Sequence, residues 1–202
     1  MKSKIEPGKR EKNKEAVRLQ LLQAARRLFS EKGMENTTVS DIVESCSLGR
    51  GTFYNYFTDI RHIFNKVNEL INQQIGEITK KSRREKTTVQ GQLYATFKAY
   101  FDFVSSPEMK SFHQNNQAYI RSASYKSHVI RTIIKDLQKD IRSLNDKLTI
   151  RDEIEEQILS YVLIGTPAEL FLNNMSVNTH FDNHKVAEFL ARIFSEGIVR
   201  KA

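Results

Sequence analysis

Arg50, Thr52, Tyr54, Asn55 and Tyr56 fall in one short run, Arg50-Gly51-Thr52-Phe53-Tyr54-Asn55-Tyr56-Phe57. A guanidinium, a hydroxyl, a carboxamide and two phenols this close together are the groups that read base edges and grip phosphates. Catalysis has no comparable signal, because no Gly-rich phosphate loop, nucleophile elbow or paired-carboxylate motif is visible. Two short helices must present these side chains. The first opens at Thr38 with Asp41 three residues on, so each side chain can satisfy an orphan amide of the other. Val39, Ile42, Val43 and Cys46 form an i, i+3, i+4, i+7 stripe that faces a core. Ser47-Leu48-Gly49 breaks the pattern at the length a helix-turn-helix requires. The second helix buries Leu48, Phe53 and Phe57 and turns the polar set outward. Recognition helices enter the major groove with their N-terminal residues. Arg50 therefore suits a bidentate contact to guanine, and Thr52 a base edge or a thymine methyl. Gly51 lets the backbone approach DNA, Asn55 reads adenine or is simply solvated, and Thr38 and Ser40 open a helix whose amides suit phosphate.

The 202 residues carry a net charge of +8, with 39% hydrophobic and 28% charged residues. That composition suits a soluble helical protein. Nine Lys/Arg against three Glu fall in residues 1–29, a net +6 beside the helix-turn-helix. Such an arm is an electrostatic footprint for the phosphate backbone, although charged termini are often only solvated tails. Cys46 is the single cysteine, so no intramolecular disulfide is possible; a small core hydrophobe is expected there. No apolar run reaches membrane-spanning length, and a cytoplasmic protein without a cofactor is expected.

Apolar residues recur at three and four rather than two, and only three prolines and eight glycines interrupt them. The pattern predicts an all-α fold of about nine helices. A disordered basic arm over 1–14 precedes a helix from about Lys14 to Lys32, ended by Gly33. After the motif, Thr58-Asp59 caps a fourth helix running to the Lys80-Arg84 region. Further helices are expected over 88–104, from Pro107 to about Asn116, and over 118–146, 151–174 and 182–200, with Gly165-Thr166-Pro167 kinking or breaking the fourth of these five. The expected domains are a DNA-binding domain over 15–66 and a helical effector-binding and dimerisation domain over 67–202.

The segment from Leu21 to Phe64 resembles the DNA-binding domain of the TetR family of bacterial transcriptional repressors. Its carriers are Leu21-Leu22-Gln23-Ala24-Ala25, Leu28-Phe29-Ser30-Glu31-Lys32-Gly33, Thr37-Thr38-Val39, Ile42-Val43 and Gly51-Thr52-Phe53-Tyr54-Asn55-Tyr56-Phe57. The resemblance implies that Tyr54 and Tyr56 give hydroxyls to phosphate. It covers under a quarter of the chain, and it has departures. The family's turn usually reads Ala-Gly-Val-Ser, where this chain has Cys46-Ser47-Leu48-Gly49. A Ser-Lys or Asn-Lys pair often follows the final Phe, but here Thr58-Asp59 supplies no cation, leaving Arg61 or Arg50 to compensate.

Reading a two-fold DNA site needs two recognition helices, so a homodimer on a palindromic double-stranded operator is expected. The last two helices are the expected interface. Phe97, Tyr100, Phe101, Phe112, His113, Asn116, Tyr119 and Tyr125 are candidates to line a pocket for a small-molecule effector, which would act by moving the fourth helix. The same motif also serves ligand-independent DNA-binding proteins. His180-x-x-x-His184 with Asp182 has metal-ligand spacing, but no Cys or Glu motif accompanies it and no metal is expected.

Overall fold

The computed structural model describes residues 8–124, 127–144, 147–177 and 182–198. Among them it is all-α: α1 (Lys9–Lys32), α2 (Val39–Ser45), α3 (Arg50–Tyr54), α4 (Ile60–Arg84), α5 (Val89–Val104), α6 (Pro107–Ser124), α7 (His128–Arg142), α8 (Glu153–Val177) and α9 (Asn183–Ile198). Two compact units divide the chain, Met1–Asn68 and Glu69–Ala202, and the division falls within α4.

In the first unit, α1 starts at Lys9 rather than Lys14, so residues 9–14 of the expected disordered arm are helical. The Lys, Arg and Glu of that stretch lose little rotamer freedom in a helix. Glu11 and Lys12 amides close the first turn on the Gly8 carbonyl. Residues 1–7 of the arm lie outside the described residues. Leu21, Leu22, Ala25 and Phe29 are buried along one side of α1, and the Phe29 ring meets Phe64 edge-on at 5.3 Å. Gly33 ends the helix at φ 79°, a left-handed conformation that favours glycine.

The start of α2 is tied by three short bonds. The Thr38 amide donates to Asp41 Oδ2 at 2.7 Å, the Asp41 amide to Thr38 Oγ1 at 3.2 Å, and Lys32 Nζ lies 2.8 Å from the same Asp41 oxygen. The Lys32 ammonium, then the Thr38 amide and hydroxyl, hold the Asp41 carboxyl down at about 2. At the other end, Leu48 N–H bonds the Val43 carbonyl (2.9 Å) and Ser47 N–H the Glu44 carbonyl (3.1 Å). That pair is a Schellman closure, and it puts Ser47 at φ 54°.

In the second unit, α5 packs along α9, and Phe97, Phe101, Val104, Leu190 and Ala191 are buried in the shared core. Bidentate bonds from Arg142 to Glu156 (2.7 and 2.8 Å) link α7 to α8. α4 and α7 are joined by Lys80–Asp136 and Arg83–Asp140, with a closest approach of 2.5 Å in each. They pass so closely that a Cβ on Gly76 would stand 2.9 Å from Ile133 Cγ1. Two helix boundaries differ from expectation. α6 does not end near Asn116 but runs on to Ser124, so the helix expected over 118–146 is divided. Asn116 leaves helical angles (φ −132°, ψ 18°), and its side-chain amide donates to the Phe112 carbonyl at 2.7 Å, bridging the fault. The new start is Ser127, whose hydroxyl accepts from the Val129 amide. α8 continues through Pro167 rather than breaking, although the Leu163 carbonyl loses its helical donor there.

Two predictions concern the α2 turn. Ser47→Gly relieves a left-handed serine and should raise stability by roughly 0.5–1 kcal/mol, read as a higher urea midpoint; an unchanged or lower midpoint contradicts the strain. Asp41 has a carboxyl depressed below its ordinary 3.8, so its contribution is present above that value and lost as pH falls towards about 2. The stability gap between wild type and Asp41→Asn should therefore be full at neutral pH and close between pH 4 and pH 2. A gap that does not change with pH would show that the charge is irrelevant.

Candidate nucleic-acid interface and ligand cavity

The expected DNA-reading residues cluster on α3 and its borders. Only Phe53 of α3 is buried. Arg50 is exposed, with no ion-pair or hydrogen-bond partner among the described residues. Gly51 is exposed and a Cβ there would meet nothing within 4 Å, so the helix start is sterically open. Thr52 and Tyr56 are half-buried, and Asn55 is exposed. Tyr54 is 57% exposed, its ring edge-on to Phe53 at 5.5 Å. Leu48 is half-buried rather than buried, because it belongs to the turn and α3 begins only at Arg50.

Of the two groups at the α2 corner, Ser40 is half-buried, while Thr38 is exposed but already engaged: its amide and hydroxyl both donate to Asp41. The Thr38 amide is therefore unavailable to a phosphate. Asp59 is likewise occupied. Its carboxylate accepts the His62 amide at 2.7 Å, and this bond, with help from the Thr58 hydroxyl and the Arg61 amide, holds it below the usual carboxylate range. In return His62 Nδ1 accepts the Thr58 amide at 3.2 Å, and the imidazole stands edge-on to Phe57 at 5.6 Å. The position where the family often carries Lys thus serves here as a helix cap. Arg61 is exposed beside it.

Two residues that sequence reasoning missed fix this arrangement. Gln20 Nε2 donates to the Cys46 carbonyl at 3.1 Å, and Cys46 Sγ donates back to the Gln20 carbonyl at 3.6 Å. Buried Cys46 is thus a small core residue with a weak hydrogen bond. His62 was detectable in principle, since its spacing from Asp59 is that of a cap. Gln20 was not, because its partner is 26 residues away.

In the second unit, a cavity of about 140 Å³ lies among α4, α5, α6, α7 and α8. Of the eight expected effector residues, Phe97, Tyr100 and His113 are on its wall. Phe101 and Phe112 are buried away from it, Asn116 is buried and bridges the α6 fault, Tyr119 is half-buried off the wall, and Tyr125 lies outside the described residues. The remaining wall includes Asn72, Ile75 and Thr79 of α4, Ile130 and Ile133 of α7, and the α8 segment around Pro167. These aliphatic residues carried no aromatic signal and were invisible as pocket formers.

The wall is mostly apolar, with a few polar points. His113 Nδ1 lies 2.7 Å from the Met109 carbonyl; a carbonyl only accepts, so Nδ1 carries the proton and Nε2 is left as an acceptor. Burial lowers the pKa of this imidazole and keeps it neutral. Burial, with the Glu169 carboxylate adding to it, keeps Tyr100 a phenol. Asn72 Nδ2 is buried without a hydrogen-bond partner. Arg121 pairs with Glu169 at 3.1 Å, both side chains about half exposed.

α8 and α9 leave apolar stripes uncovered: Ile154, Ile158, Tyr161 and Val162 on one, Phe189 and Ile193 on the other. Their i, i+4, i+7, i+8 and i, i+4 spacings put each set on a single helix face. No described helix is long and apolar enough to cross a membrane. The described residues contain no cluster of three or more His, Cys, Asp or Glu suited to a metal. His180 is outside them, and His184 stands edge-on to Tyr94 at 5.6 Å.

Comparison with known proteins agrees with this geometry. Residues 21–67 match the family model of bacterial regulatory proteins, tetR family. An HTH-type transcriptional regulator of Bacillus subtilis, YfiR, is 32% identical over 65 residues, and the match covers 32% of each chain. The chain is thus aligned with about a third of that relative's length. The fold is shared more widely. FadR, the fatty acid degradation regulator of Bacillus halodurans, superposes with a TM-score of 0.71 at 16% identity over 90% of this chain and 95% of its own. FadR of Bacillus subtilis, solved in complex with stearoyl-CoA, gives 0.70 at 17% identity over 89% and 98%. Residues 21–67 are thus similar to the helix-turn-helix segment of the bacterial regulatory proteins of the tetR family, and the chain as a whole shares the helical fold of these solved structures.

Proposed function

We propose that this chain is a homodimeric transcriptional repressor that reads a palindromic operator with α3 and leaves it when a small apolar effector fills the cavity of the second unit. The observation that carries the reading is Arg50: an exposed, unpartnered guanidinium at the first position of a short helix whose second residue, Gly51, is sterically open. Such a side chain reaches guanine without first breaking an ion pair. Thr52 and Asn55 complete the base-reading set, while Tyr54, Tyr56 and Arg61 serve phosphates. At the α2 corner, phosphate contact falls to the Ser40 side, because the Thr38 amide is engaged. The exposed apolar stripes on α8 and α9 suit a self-complementary interface, since a two-fold operator needs two copies of α3.

Release by an effector is supported by the apolar cavity with its few polar points. That a protein of the same fold was solved with stearoyl-CoA points the same way. α4 supplies Asn72, Ile75 and Thr79 to the wall and is the helix through which occupancy is reported.

Two measurements test this. Arg50→Ala should cost about 1–3 kcal/mol on the specific operator and relax base preference at one position, measured by binding to a panel of single-base operator variants; unchanged affinity and preference would remove Arg50 from the reading. Ile158→Glu combined with Phe189→Glu should convert a dimer into a folded monomer in sedimentation velocity at micromolar concentration. A wild-type chain that is already monomeric there would sink the dimer.

A further inference from the structure

A second cavity, of about 100 Å³, adjoins the first. Thr79, Thr96, Phe97, Ile133, Leu163 and Ile164 stand in the walls of both. The two are ordered along the helices that line them. On α4 the first cavity touches Asn72 and Ile75 and the second touches Arg83, with Thr79 in common. On α8 the first reaches Leu172 and the second Leu159, with Leu163 in common. They are therefore lobes stacked end to end along the helix axes. Asn72 to Arg83 spans roughly 16 Å at the helical rise, and Leu159 to Leu172 roughly 20 Å. An extended alkyl chain, with bonds of about 1.5 Å at about 111°, advances roughly 1.25 Å per carbon, so the two lobes accept a chain of about a dozen carbons.

The polar groups give this channel a direction. In the second lobe every one of them is engaged. Arg83 donates twice to Asp140, Gln92 Nε2 donates to the Lys86 carbonyl, and Thr96 donates to the Gln92 carbonyl. Thr79 donates to the Ile75 carbonyl at 2.7 Å, so neither threonine at the waist asks for a polar partner in the channel. The first lobe differs: Asn72 Nδ2 has no acceptor, and His113 Nε2 is left to accept. Resting on the reading that this unit binds an effector, we infer that the effector is one elongated amphiphile. Its straight apolar chain crosses the waist into the second lobe, and its hydrogen-bonding head stays in the first, beside Asn72 and His113.

The test is calorimetric titration of the full-length wild-type chain with hexanoic, decanoic and dodecanoic acids, and with 1-naphthol as a compact probe. Affinity should climb from hexanoic to dodecanoic acid, by up to about fourfold per methylene as apolar surface is buried. Thr96→Phe plugs the waist and should lower the affinity for decanoic acid more than that for hexanoic acid, collapsing the difference between the two. Gly76→Ala, whose new Cβ pushes against the waist residue Ile133, gives a milder loss of the same kind in a variant of unimpaired helix propensity. If naphthol binds and decanoic acid binds no tighter than hexanoic acid, the ligand is compact and confined to one lobe, and the effector reading survives without this inference. If neither naphthol nor any acid binds, the effector reading fails and takes the inference with it.

Discussion

A helix of five residues cannot hold itself, and α3 has only five. Nucleating a helical turn fixes several dihedrals for a single hydrogen bond, so so short a helix has no stability of its own in water. Its orientation is imposed from both sides. Upstream, the Schellman closure of α2 fixes where the chain leaves Leu48, and the Gln20–Cys46 exchange pins that turn to α1. Downstream, the reciprocal Asp59–His62–Thr58 bonds fix the entry to α4. Between them Phe53 and Phe57 are anchored in the core. Arg50 and Tyr54 can point outward reproducibly only because these neighbours leave α3 no alternative. The strained Ser47 belongs to the same economy, since a left-handed residue survives only where the surroundings over-determine it.

What was legible in the sequence was local. The Thr38–Asp41 box, the Gly33 terminus and the buried stripe of α1 each depend on residues within two turns of one another, and the structure has all three. Features closed by distant partners were not legible. The Asn115-Asn116 pair reads as a helix end because amide side chains compete with the backbone. Here the same competition repairs the helix, as Asn116 bonds the Phe112 carbonyl and Gln117 ties α6 to the Leu172 carbonyl of α8. Gly165-Thr166-Pro167 reads as a kink or a break, yet α8 runs past it. At the cavity, aromatic content was a poor guide. Phe101 and Phe112 fill the core, while much of the wall comes from isoleucines and threonines whose spacing only says that they face inward.

The cavity has a structural cause in the helices around it. Interiors pack to crystal-like density when regular ridges fit regular grooves. One of the helices around this space is irregular: α6 leaves helical angles at Asn116 and interrupts the ridge it presents. The close α4–α7 crossing at Gly76 sets the position of Ile133 from another side. An apolar void costs dispersion contacts on its lining, so its retention needs stabilisation elsewhere. Ion pairs between Lys80 and Asp136 and between Arg83 and Asp140, with Arg142–Glu156 on the far side of α7, clamp that helix against its neighbours. A ligand that restores the missing contacts would tighten the same walls, including the α4 residues that lie on them.

The charge distribution separates affinity from specificity. The net charge is +8, yet many cations of the chain sit in ion pairs that position helices: Lys32 with Asp41, Lys80 with Asp136, Arg83 with Asp140, Arg142 with Glu156. Such pairs also withdraw their charge from the field felt by a polyanion. The excess that remains is concentrated at the start of α1, where Arg10, Lys12 and Lys14 are exposed. Because α1 is helical from Lys9, these cations are held at a fixed rise rather than on a wandering tail. Phosphate attraction of this kind is independent of sequence and weakens as salt rises. In the proposed reading, base preference rests on the unpaired Arg50 and its neighbours on α3. That reading assigns the sequence-independent and sequence-reading parts of the surface to different residues on different helices, so that salt would act on the first far more than on the second.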